Sequence, residues 1–350
     1  MRVLFVTGTS DFQVAGGGEV AVLKKKDYLS RIGVEVELFN PVADKIRDFD
    51  LVHLYQFRLS NLEIARFTRR LGIPIILQPV YWPTDELLNE YPNARLSRLI
   101  QRALRLGRRS RLYFRIAEPL PFDPAAMLMS YSRVITTNSR LEEEVLRAEF
   151  PTSAQFEVIP AGVDARFADA RPDVFRNQYN LEEFVLTVAN ICARKNTLRL
   201  INACKRLGIP LVVVGKPIEH AYYDRCLREA QGGKVLFLTD IEHDSPLLLS
   251  CYAAASVFAL PSWLETPGLA ALEAAVAGCK LVLTNRGSTT EYFSDKAIYV
   301  NPGSVESIMN GLKEARSAPR NLALKASILT RCRWEAVAES LRAVYESVLE

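Results

Sequence analysis

The stretch SVFALPSWLETPGLAALEAAVAGCKLVLT, residues 256–284, decides the fold of this chain. Its two ends, Ser256–Leu260 and Lys280–Thr284, are short apolar runs that contain β-branched residues, so both are predicted as strands. The segment between them is rich in alanine and leucine and predicts a helix that begins near Pro267, because proline suits the first helical turn. A helix that connects two strands indicates that these strands run parallel in one sheet.

The same alternation of strand and helix continues in both directions along the chain. In the first half, strands are predicted at Arg2–Val6, Val34–Phe39, Leu51–Leu54, Ile73–Leu77 and Arg133–Thr137. In the second half, they are predicted at Phe184–Ala189, Pro210–Val214, Lys234–Leu238, Ser256–Leu260, Lys280–Thr284 and Ala297–Val300. This alternation predicts the α/β fold class, with parallel sheets that are covered by helices on both faces.

The length of 350 residues favours two domains over one. The alternation breaks at Pro160-Ala161-Gly162, so we predict one doubly wound, Rossmann-like domain over residues 1–160 and a second over residues 161–330. In the last segment, residues 331–350, apolar residues recur at helical spacing from Trp334 to Leu349 and predict an amphipathic helix. Open α/β sheets bind ligands at the carboxyl ends of their strands, so a ligand cleft is expected between the two sheets.

Composition excludes several classes of protein. With 49% hydrophobic and 24% charged residues, the chain is typical of globular proteins and unlike disordered chains. The first residues, Met1 to Val6, match neither a signal peptide nor a membrane-spanning run, so a cytoplasmic location is expected. None of the six cysteines forms a C-x-x-C pair, and neither a zinc site nor a disulfide framework is predicted.

Two glutamates in the quoted stretch are the first candidates for a functional site. Glu265 is expected in the loop before the helix and Glu273 two turns further on, near free backbone N–H groups that attract a phosphate. Carboxylates at such a helix end also accept hydrogen bonds from sugar hydroxyls. The alternative is that Glu265 is an ordinary charge at a helix start and Glu273 a solvated helix residue, and spacing alone leaves both interpretations open.

The spacing of Glu265 and Glu273 resembles the Glu-x7-Glu signature of retaining GT-B glycosyltransferases, and Gly268-Leu269 with Leu272-Glu273-Ala274 is similar to its form in glycosyltransferase family 4, the glycosyl transferases group 1. Further motifs follow in the family's order over almost the whole chain: Gly16–Glu19, Asp50–His53, Ile159–Asp164, Arg194-Lys195-Asn196, and Trp334-Glu335 with Val344-Tyr345. The resemblance implies a GT-B fold, in which two Rossmann-like domains face each other across a cleft and the C-terminal helix crosses back to the first.

The resemblance also implies a role for each matching residue. Glu273 would bind the ribose hydroxyls of a nucleotide, and Glu265 the hydroxyls of the donor sugar near the reacting carbon. Arg194 and Lys195 would pair with the diphosphate, so that its charge is neutralised without a metal ion and no cofactor is required. A surface Arg-Lys pair at a helix start is the alternative. Gly268 and Leu269 are assigned to donor binding because they belong to the motif itself.

The glycine triplet Gly16-Gly17-Gly18 follows the first predicted strand. Glycine carries no side chain, so such a loop lets the backbone approach a ligand closely. In the family this loop faces the donor phosphates and the acceptor, and Gly17 and Gly18 are therefore assigned to donor binding. An ordinary turn is the alternative, and the triplet does not form the G-x-G-x-x-G motif of dinucleotide-binding proteins.

The chain departs from the family pattern at two places. Ala189-Asn190 stands where the family usually has Gly-Arg, so one phosphate-binding arginine is absent. Asn190 is kept as a donor-binding candidate, and Arg194 is the candidate replacement for that arginine. Secondly, Gln78–Trp82 stands where many members carry a histidine close to the donor sugar, which leaves open what replaces it.

The three histidines of the chain carry little functional signal. His53 matches a family position that is more often structural, and we expect it to be structural here. His220 and His243 match no motif.

Between Arg95 and Arg115 the chain has eight arginines and no carboxylate. If this segment is helical, most of the arginines share one face, and such a basic amphipathic helix suits an anionic membrane surface. A solvated helix, or one that pairs with an acidic partner, is an equally good interpretation, and a nucleic-acid surface is a weaker one. No nucleic-acid partner is therefore predicted.

Together, these features predict a retaining glycosyltransferase that moves a hexose-type sugar from a nucleotide-diphosphate sugar to a glycan or lipid-linked acceptor, in the manner of polysaccharide biosynthesis. The alternatives are a GT-B nucleotide-sugar epimerase or hydrolase, and a non-catalytic protein that binds nucleotide or glycan. A nicotinamide-dependent dehydrogenase ranks lowest, because no phosphate-binding motif follows either first strand.

Overall fold

The computed structural model describes residues 1–8, 11–13, 16–83 and 123–350, so the arginine-rich segment Arg95–Arg115 lies outside the described residues. The chain divides into two compact units. The first unit consists of Met1–Ala161 together with Trp334–Glu350, and the second consists of Gly162–Arg333. The predicted boundaries at residues 160 and 330 fall beside these junctions, and the C-terminal helix belongs to the first unit.

The first unit is built on a parallel sheet of six strands in the order β2-β1-β3-β4-β5-β6. The strands are β1 Arg2–Val6, β2 Glu35–Leu38, β3 Leu51–Tyr55, β4 Ile75–Gln78, β5 Val134–Thr137 and β6 Gln155–Val158. Five of them were predicted. The sixth, β6, was missed because it alternates exposed and half-buried residues and contains Gln155 and Glu157, so it lacks the apolar run of a buried strand.

Helices of the first unit connect and cover these strands. They are α1 Gly17–Arg31, α2 Leu59–Arg70, α3 Pro124–Tyr131, α4 Arg140–Glu149 and the C-terminal helix Trp334–Leu349. The C-terminal helix was predicted with these bounds, and every apolar position of its predicted stripe is buried. It packs against α1, and the hydroxyl of Tyr345 lies 2.8 Å from Nδ1 of the fully buried His53. The structural interpretation of His53 is therefore confirmed.

The second unit repeats the same architecture. Its six parallel strands, in the order β12-β11-β10-β7-β8-β9, are β7 Val185–Val188, β8 Leu211–Val214, β9 Val235–Leu238, β10 Val257–Leu260, β11 Lys280–Thr284 and β12 Ile298–Val300. Its helices are α5 Asp173–Tyr179, α6 Thr197–Leu207, α7 His220–Ala230, α8 Pro246–Ala254, α9 Leu269–Val276, α10 Thr289–Phe293, α11 Val305–Ser317 and α12 Leu322–Arg331. All six strands were predicted, and the α/β fold class is confirmed.

The helix of the quoted stretch, α9, begins two residues later than Pro267 suggested. Pro267 lies outside the helix, and the residue before its first turn is Gly268, whose φ of +89° is not helical. Because a residue with a side chain rarely adopts this backbone conformation, glycine rather than proline fixes where α9 starts.

Two further predictions concern the chain as a whole. All six cysteines are buried and free in the structure. Over residues 1–83 and 123–350, with the gaps given above, no helix has both the length and the apolar character needed to span a bilayer.

Candidate functional site

Two loops of the second unit bring three of the predicted site residues together. Lys195 precedes α6 and Glu265 precedes α9, and the Nζ atom of Lys195 lies 2.5 Å from Oε1 of Glu265. A guanidinium nitrogen of Arg194 lies 3.9 Å from the same oxygen. The side chains of Lys195 and Glu265 are only 14% and 4% exposed, whereas that of Arg194 is 41% exposed. The alternative of a surface Arg-Lys pair is therefore wrong for Lys195.

Hydrogen bonds to backbone carbonyl oxygens join the two loops. The backbone N–H of Trp263 donates to the carbonyl oxygen of Arg194 at 2.9 Å, and the Arg194 side chain donates to the carbonyl oxygen of Leu264 at 3.2 Å. The side-chain amide of Asn196 donates to the carbonyl oxygens of Pro261 and Pro302 at 2.9 and 2.8 Å. Asn196 is buried in this position, so it positions the cationic pair although the prediction did not include it among the site residues.

A third loop fixes the backbone of Glu265. The N–H of Ser288 donates to the carbonyl oxygen of Glu265 at 3.0 Å, and Gly287 runs alongside with a φ of +86°. A Cβ atom on Gly287 would lie 2.0 Å from that oxygen, which is far too close. Only glycine therefore permits this close approach. The backbone that carries the Glu265 side chain is thus fixed by the loop of Arg194 and by the loop of Ser288.

The missing side chain of Gly268 leaves room for the carboxylate of Glu265. A Cβ atom on Gly268 would lie 2.8 Å from Oε2 of Glu265 and 3.2 Å from Cδ2 of Leu260. Burial alone raises the pKa of Glu265, but the charges of Lys195 and Arg194 and the hydrogen bond from Lys195 outweigh burial and hold the pKa below its usual value. Glu265 is thus an ionised acceptor at neutral pH, although it is almost completely shielded from water.

Glu273 lies in α9 and is held by a different pair of side chains. Its Oε1 is 2.7 Å from Nε2 of His243, and its Oε2 accepts a hydrogen bond from the hydroxyl of Tyr252 at 2.7 Å. The Glu273 side chain is only 7% exposed, so the interpretation as a solvated helix residue is wrong. Sequence reasoning missed both partners, because they stand on a separate loop and helix and no local spacing connects them with Glu273.

The other predicted donor-binding residues fall at three places. Gly268 and Leu269 lie next to each other at the start of α9. Asn190 is half-buried in the turn after β7, where Gly215 passes so closely that a Cβ atom there would lie 1.9 Å from the carbonyl oxygen of Ala189. Gly17 and Gly18 are exposed at the start of α1 and belong to the first unit, whereas the remaining candidates belong to the second.

Gln78–Trp82, where many family members carry a histidine, belongs to a buried hydrogen-bond network in the first unit. Gln78, at the end of β4, accepts a hydrogen bond from Nζ of Lys25 at 2.5 Å and donates one to Asn138 at 2.9 Å. Glu142 accepts from the backbone N–H groups of Asn138 and Tyr81 at 2.8 and 2.7 Å. Burial lowers the pKa of Lys25 to about 7 and raises that of Glu142 to about 7. Both polar ends of Gln78 are thus bonded within the protein.

Comparisons with known proteins show similarity to glycosyltransferases. Residues 173–327 match the family model described as glycosyl transferases group 1. The chain is similar to an uncharacterized glycosyltransferase of Methanocaldococcus jannaschii, with 26% identity over 239 residues, which is 62% of this chain and 60% of that protein. The match therefore spans less than two thirds of that relative's length.

Solved structures show the same fold. The sucrose-phosphate synthase of Thermosynechococcus elongatus superposes with a TM-score of 0.77 at 17% identity and covers 99% of both chains. The Anabaena protein HepE in complex with UDP-glucose superposes with a TM-score of 0.73 at 16% identity and covers 99% of this chain and 100% of that one. The fold is that of GT-B glycosyltransferases. The residues that match the family model lie in the second unit and include Lys195, Glu265 and Glu273.

Proposed function

We propose that this protein is a retaining glycosyltransferase, which moves a hexose-type sugar from a nucleotide-diphosphate sugar, bound mainly to the second unit, to a glycan or lipid-linked acceptor. The observation that carries the proposal is the buried contact of 2.5 Å between Lys195 and Glu265, with the more exposed Arg194 beside it. A cationic pair and an ionised carboxylate on loops at the carboxyl ends of two parallel strands suit a ligand with both phosphates and hydroxyls.

The cationic pair supports the difficult step of such a transfer. The bond between the anomeric carbon of the sugar and the diphosphate oxygen breaks, and the leaving diphosphate gains negative charge. The acceptor hydroxyl oxygen bonds to that carbon on the same face and gives its proton to the leaving diphosphate oxygen. Arg194 and Lys195 stabilise the developing charge, since their positions are fixed before the reaction by the bonds around Trp263 and Asn196.

The two glutamates supply the recognition of hydroxyl groups. Glu265 is ionised and fixed beside the cations, so a free lone pair accepts from a donor-sugar hydroxyl near the reacting carbon. Glu273 stands about one turn into α9, and its carboxylate accepts from the ribose hydroxyls while His243 and Tyr252 hold it. Gly268, Leu269 and Asn190 line the donor site of the second unit in this proposal, and Gly17 and Gly18 stay donor-binding candidates of the first unit.

Two cationic side chains already face the diphosphate in this proposal, and we therefore expect transfer without a divalent metal ion. Turnover should persist, within about twofold, when the purified protein is treated with a chelator, because Arg194 and Lys195 supply the charge stabilisation. The Anabaena protein was solved with UDP-glucose, so UDP-sugars are the first donors to test. The proposal also includes the glycan or lipid-linked acceptor and the binding of an anionic membrane surface through Arg95–Arg115.

The test measures sugar transfer from a panel of UDP-, GDP- and ADP-sugars by wild-type protein and by Lys195→Met and Glu265→Gln. Each substitution should lower kcat/KM by about 10²- to 10³-fold, the usual effect of removing one group that stabilises transition-state charge. Lys205→Met is the matched control, since Lys205 is an exposed lysine at the end of α6 and should leave turnover unchanged.

Two further readouts distinguish the proposal from its rivals. Incubation with donor alone would show turnover without acceptor if the protein were an epimerase or a hydrolase. Nuclear magnetic resonance of the product shows whether the anomeric configuration is kept, and inversion would contradict the retaining mechanism. Equal turnover in wild type and both variants would overturn the roles of Lys195 and Glu265.

A further inference from the structure

His243 stands between two carboxylates in the segment that joins β9 to α8. Its Nε2 is 2.7 Å from Oε1 of Glu273, and its Nδ1 is 3.2 Å from Oδ1 of Asp244. The His243 side chain is 29% exposed, whereas that of Glu273 is 7% exposed. The histidine therefore connects an almost buried carboxylate with the solvent.

The second partner of Glu273 behaves differently. The hydroxyl of Tyr252 donates to Oε2 of Glu273, and Tyr252 is fully buried. Burial, followed by the charge of Glu273, raises the pKa of Tyr252 well above its usual value, so this hydroxyl keeps its proton at any pH near neutrality. Of the two side chains that hold Glu273, His243 alone changes its protonation in that range.

The number of protons on the ring decides how many of its contacts are hydrogen bonds. A protonated imidazole has two N–H groups, and two carboxylates face its two nitrogens here. A neutral imidazole has only one N–H group, so one carboxylate then faces a lone pair. Loss of the proton therefore leaves one of the two contacts without a hydrogen bond and removes the positive charge that strengthens the other, so the contact with Glu273 weakens in either tautomer.

The other groups around His243 reinforce the charged form. Asp244, on the same segment, also pairs with Arg166, and Arg166 pairs in turn with Asp164. Burial alone lowers the pKa of His243, but the hydrogen bond and charge of Glu273, and then those of Asp244, raise it above 6.5 overall. The ring of Phe167 packs at a centroid distance of 6.2 Å and contributes no charge.

We propose that His243 is a positioning residue for nucleotide binding: its protonated ring holds Glu273 in the orientation that accepts the ribose hydroxyls, so affinity for the nucleotide falls as the pH rises and the ring loses its proton. This inference rests on the role of Glu273 in the proposed function and adds a residue that no motif marks. Since the protonated ring also adds a positive charge to the second unit, the same pH change weakens the attraction of a diphosphate.

The experiment measures the dissociation constant of UDP by calorimetry between pH 6 and pH 9, with GDP and ADP in parallel, for the full-length protein and for His243→Gln. The nucleotide's own phosphate titrates equally in both proteins, so their ratio of dissociation constants isolates the histidine. His243→Gln should bind up to about tenfold more weakly than wild type at pH 6, the value of one hydrogen bond, and about equally at pH 9. His243→Asn repeats the test if the glutamine variant melts early.

Tyr252→Phe is the matched control, because it removes the other bond to Glu273 without changing a group that titrates near neutrality. It should bind UDP more weakly at every pH and keep the pH dependence of wild type. A pH-independent ratio between wild type and His243→Gln would overturn the inference.

Glu273→Gln separates that outcome from failure of the proposed function. If Glu273→Gln loses affinity while His243→Gln follows wild type, the ribose role of Glu273 holds and the role of His243 is wrong. If Glu273→Gln binds as wild type does, or no nucleotide diphosphate binds the wild type, both the assignment of Glu273 and the inference are overturned.

Discussion

Each unit of the molecule buries a lysine near the carboxyl end of its parallel sheet, and the two lysines differ in their partners. In the second unit, Nζ of Lys195 lies 2.5 Å from Oε1 of Glu265. Lys25 of the first unit contacts the neutral amide of Gln78 at the same distance. Lys195 thus pairs with a group of opposite charge, and Lys25 pairs with an uncharged dipole.

The difference shows what keeps a buried amine in its charged form. A neighbouring carboxylate stabilises the charged form of a buried amine, whereas burial beside an amide favours the neutral form. Burial thus lowers the pKa of Lys25 to about 7, and its ammonium group is half lost at neutral pH. Burial also lowers the pKa of Lys195, but the charge and the hydrogen bond of Glu265 oppose this effect, whereas for Lys25 only the charge of Glu142 opposes it. In the first unit, Lys25 holds Gln78 and, through it, Asn138.

The largest expected effect on stability comes from giving Lys195 an uncharged partner like that of Lys25. Glu265→Gln gives Lys195 an amide partner of the same shape, and it should lower the free energy of unfolding of the second unit by about 3 kcal/mol at pH 7, because one partner of a buried pair is lost. Chemical denaturation at several pH values measures it. Glu183→Gln, which removes one partner of an exposed ion pair, should change stability by less than about 0.5 kcal/mol. A loss as small as this for Glu265→Gln would contradict the comparison.

A smaller effect is expected from the pH dependence of the first unit. Lys25 has a folded pKa of about 7 against 10.5 for an unburied lysine, so between these values the unfolded chain binds one proton more than the folded chain. Stability therefore rises with pH in this window, by at most about 1.4 kcal/mol per pH unit, and Lys25→Met should abolish that rise. Denaturant titrations from pH 7 to pH 10 measure the slope, and Lys45→Met, at an exposed lysine, should run parallel to wild type. Equal slopes in wild type and Lys25→Met would show that Lys25 stays charged.

The smallest effect concerns the two glycines that flank helix starts in the two units. Gly268→Ala requires a side chain at a φ of +89° and places a Cβ atom against Glu265, so it should destabilise the second unit by about 1–2 kcal/mol. Gly18→Ala meets nothing closer than Gln56 at 3.6 Å and should leave thermal stability unchanged or slightly raised, since alanine favours helices. Equal melting temperatures for wild type and Gly268→Ala would show that Glu265 moves aside without penalty.

Most of the fold followed from sequence because buried parallel strands are continuous apolar runs. Arg2–Val6, Lys280–Thr284 and Trp334–Leu349 were predicted with the bounds that the structure gives. The polar strand β6 was missed for the converse reason, since a strand that alternates exposed and half-buried residues carries no such run. The start of α9 was misplaced because the backbone angle of Gly268 is invisible in a residue pattern.

The site was predictable only in part. The contact between Lys195 and Glu265 followed from motifs whose residues the sheet brings together. Neither His243 beside Glu273 nor Lys25 beside Gln78 was foreseen, because these pairs depend on side chains that reach across from separate elements. A pattern within one segment reveals which face of a helix is buried, but it does not reveal which polar group from elsewhere completes a hydrogen bond.

The assignment of Trp334–Glu350 to the first unit has a consequence for biosynthesis. The second unit is one continuous segment, Gly162–Arg333, so a growing chain holds all of it before the ribosome adds the final helix. The first unit combines segments from both sides of the second unit, so it stays incomplete until Trp334–Glu350 has been synthesised. A premature stop codon just after Arg333 would spare the second unit and leave His53 without Tyr345.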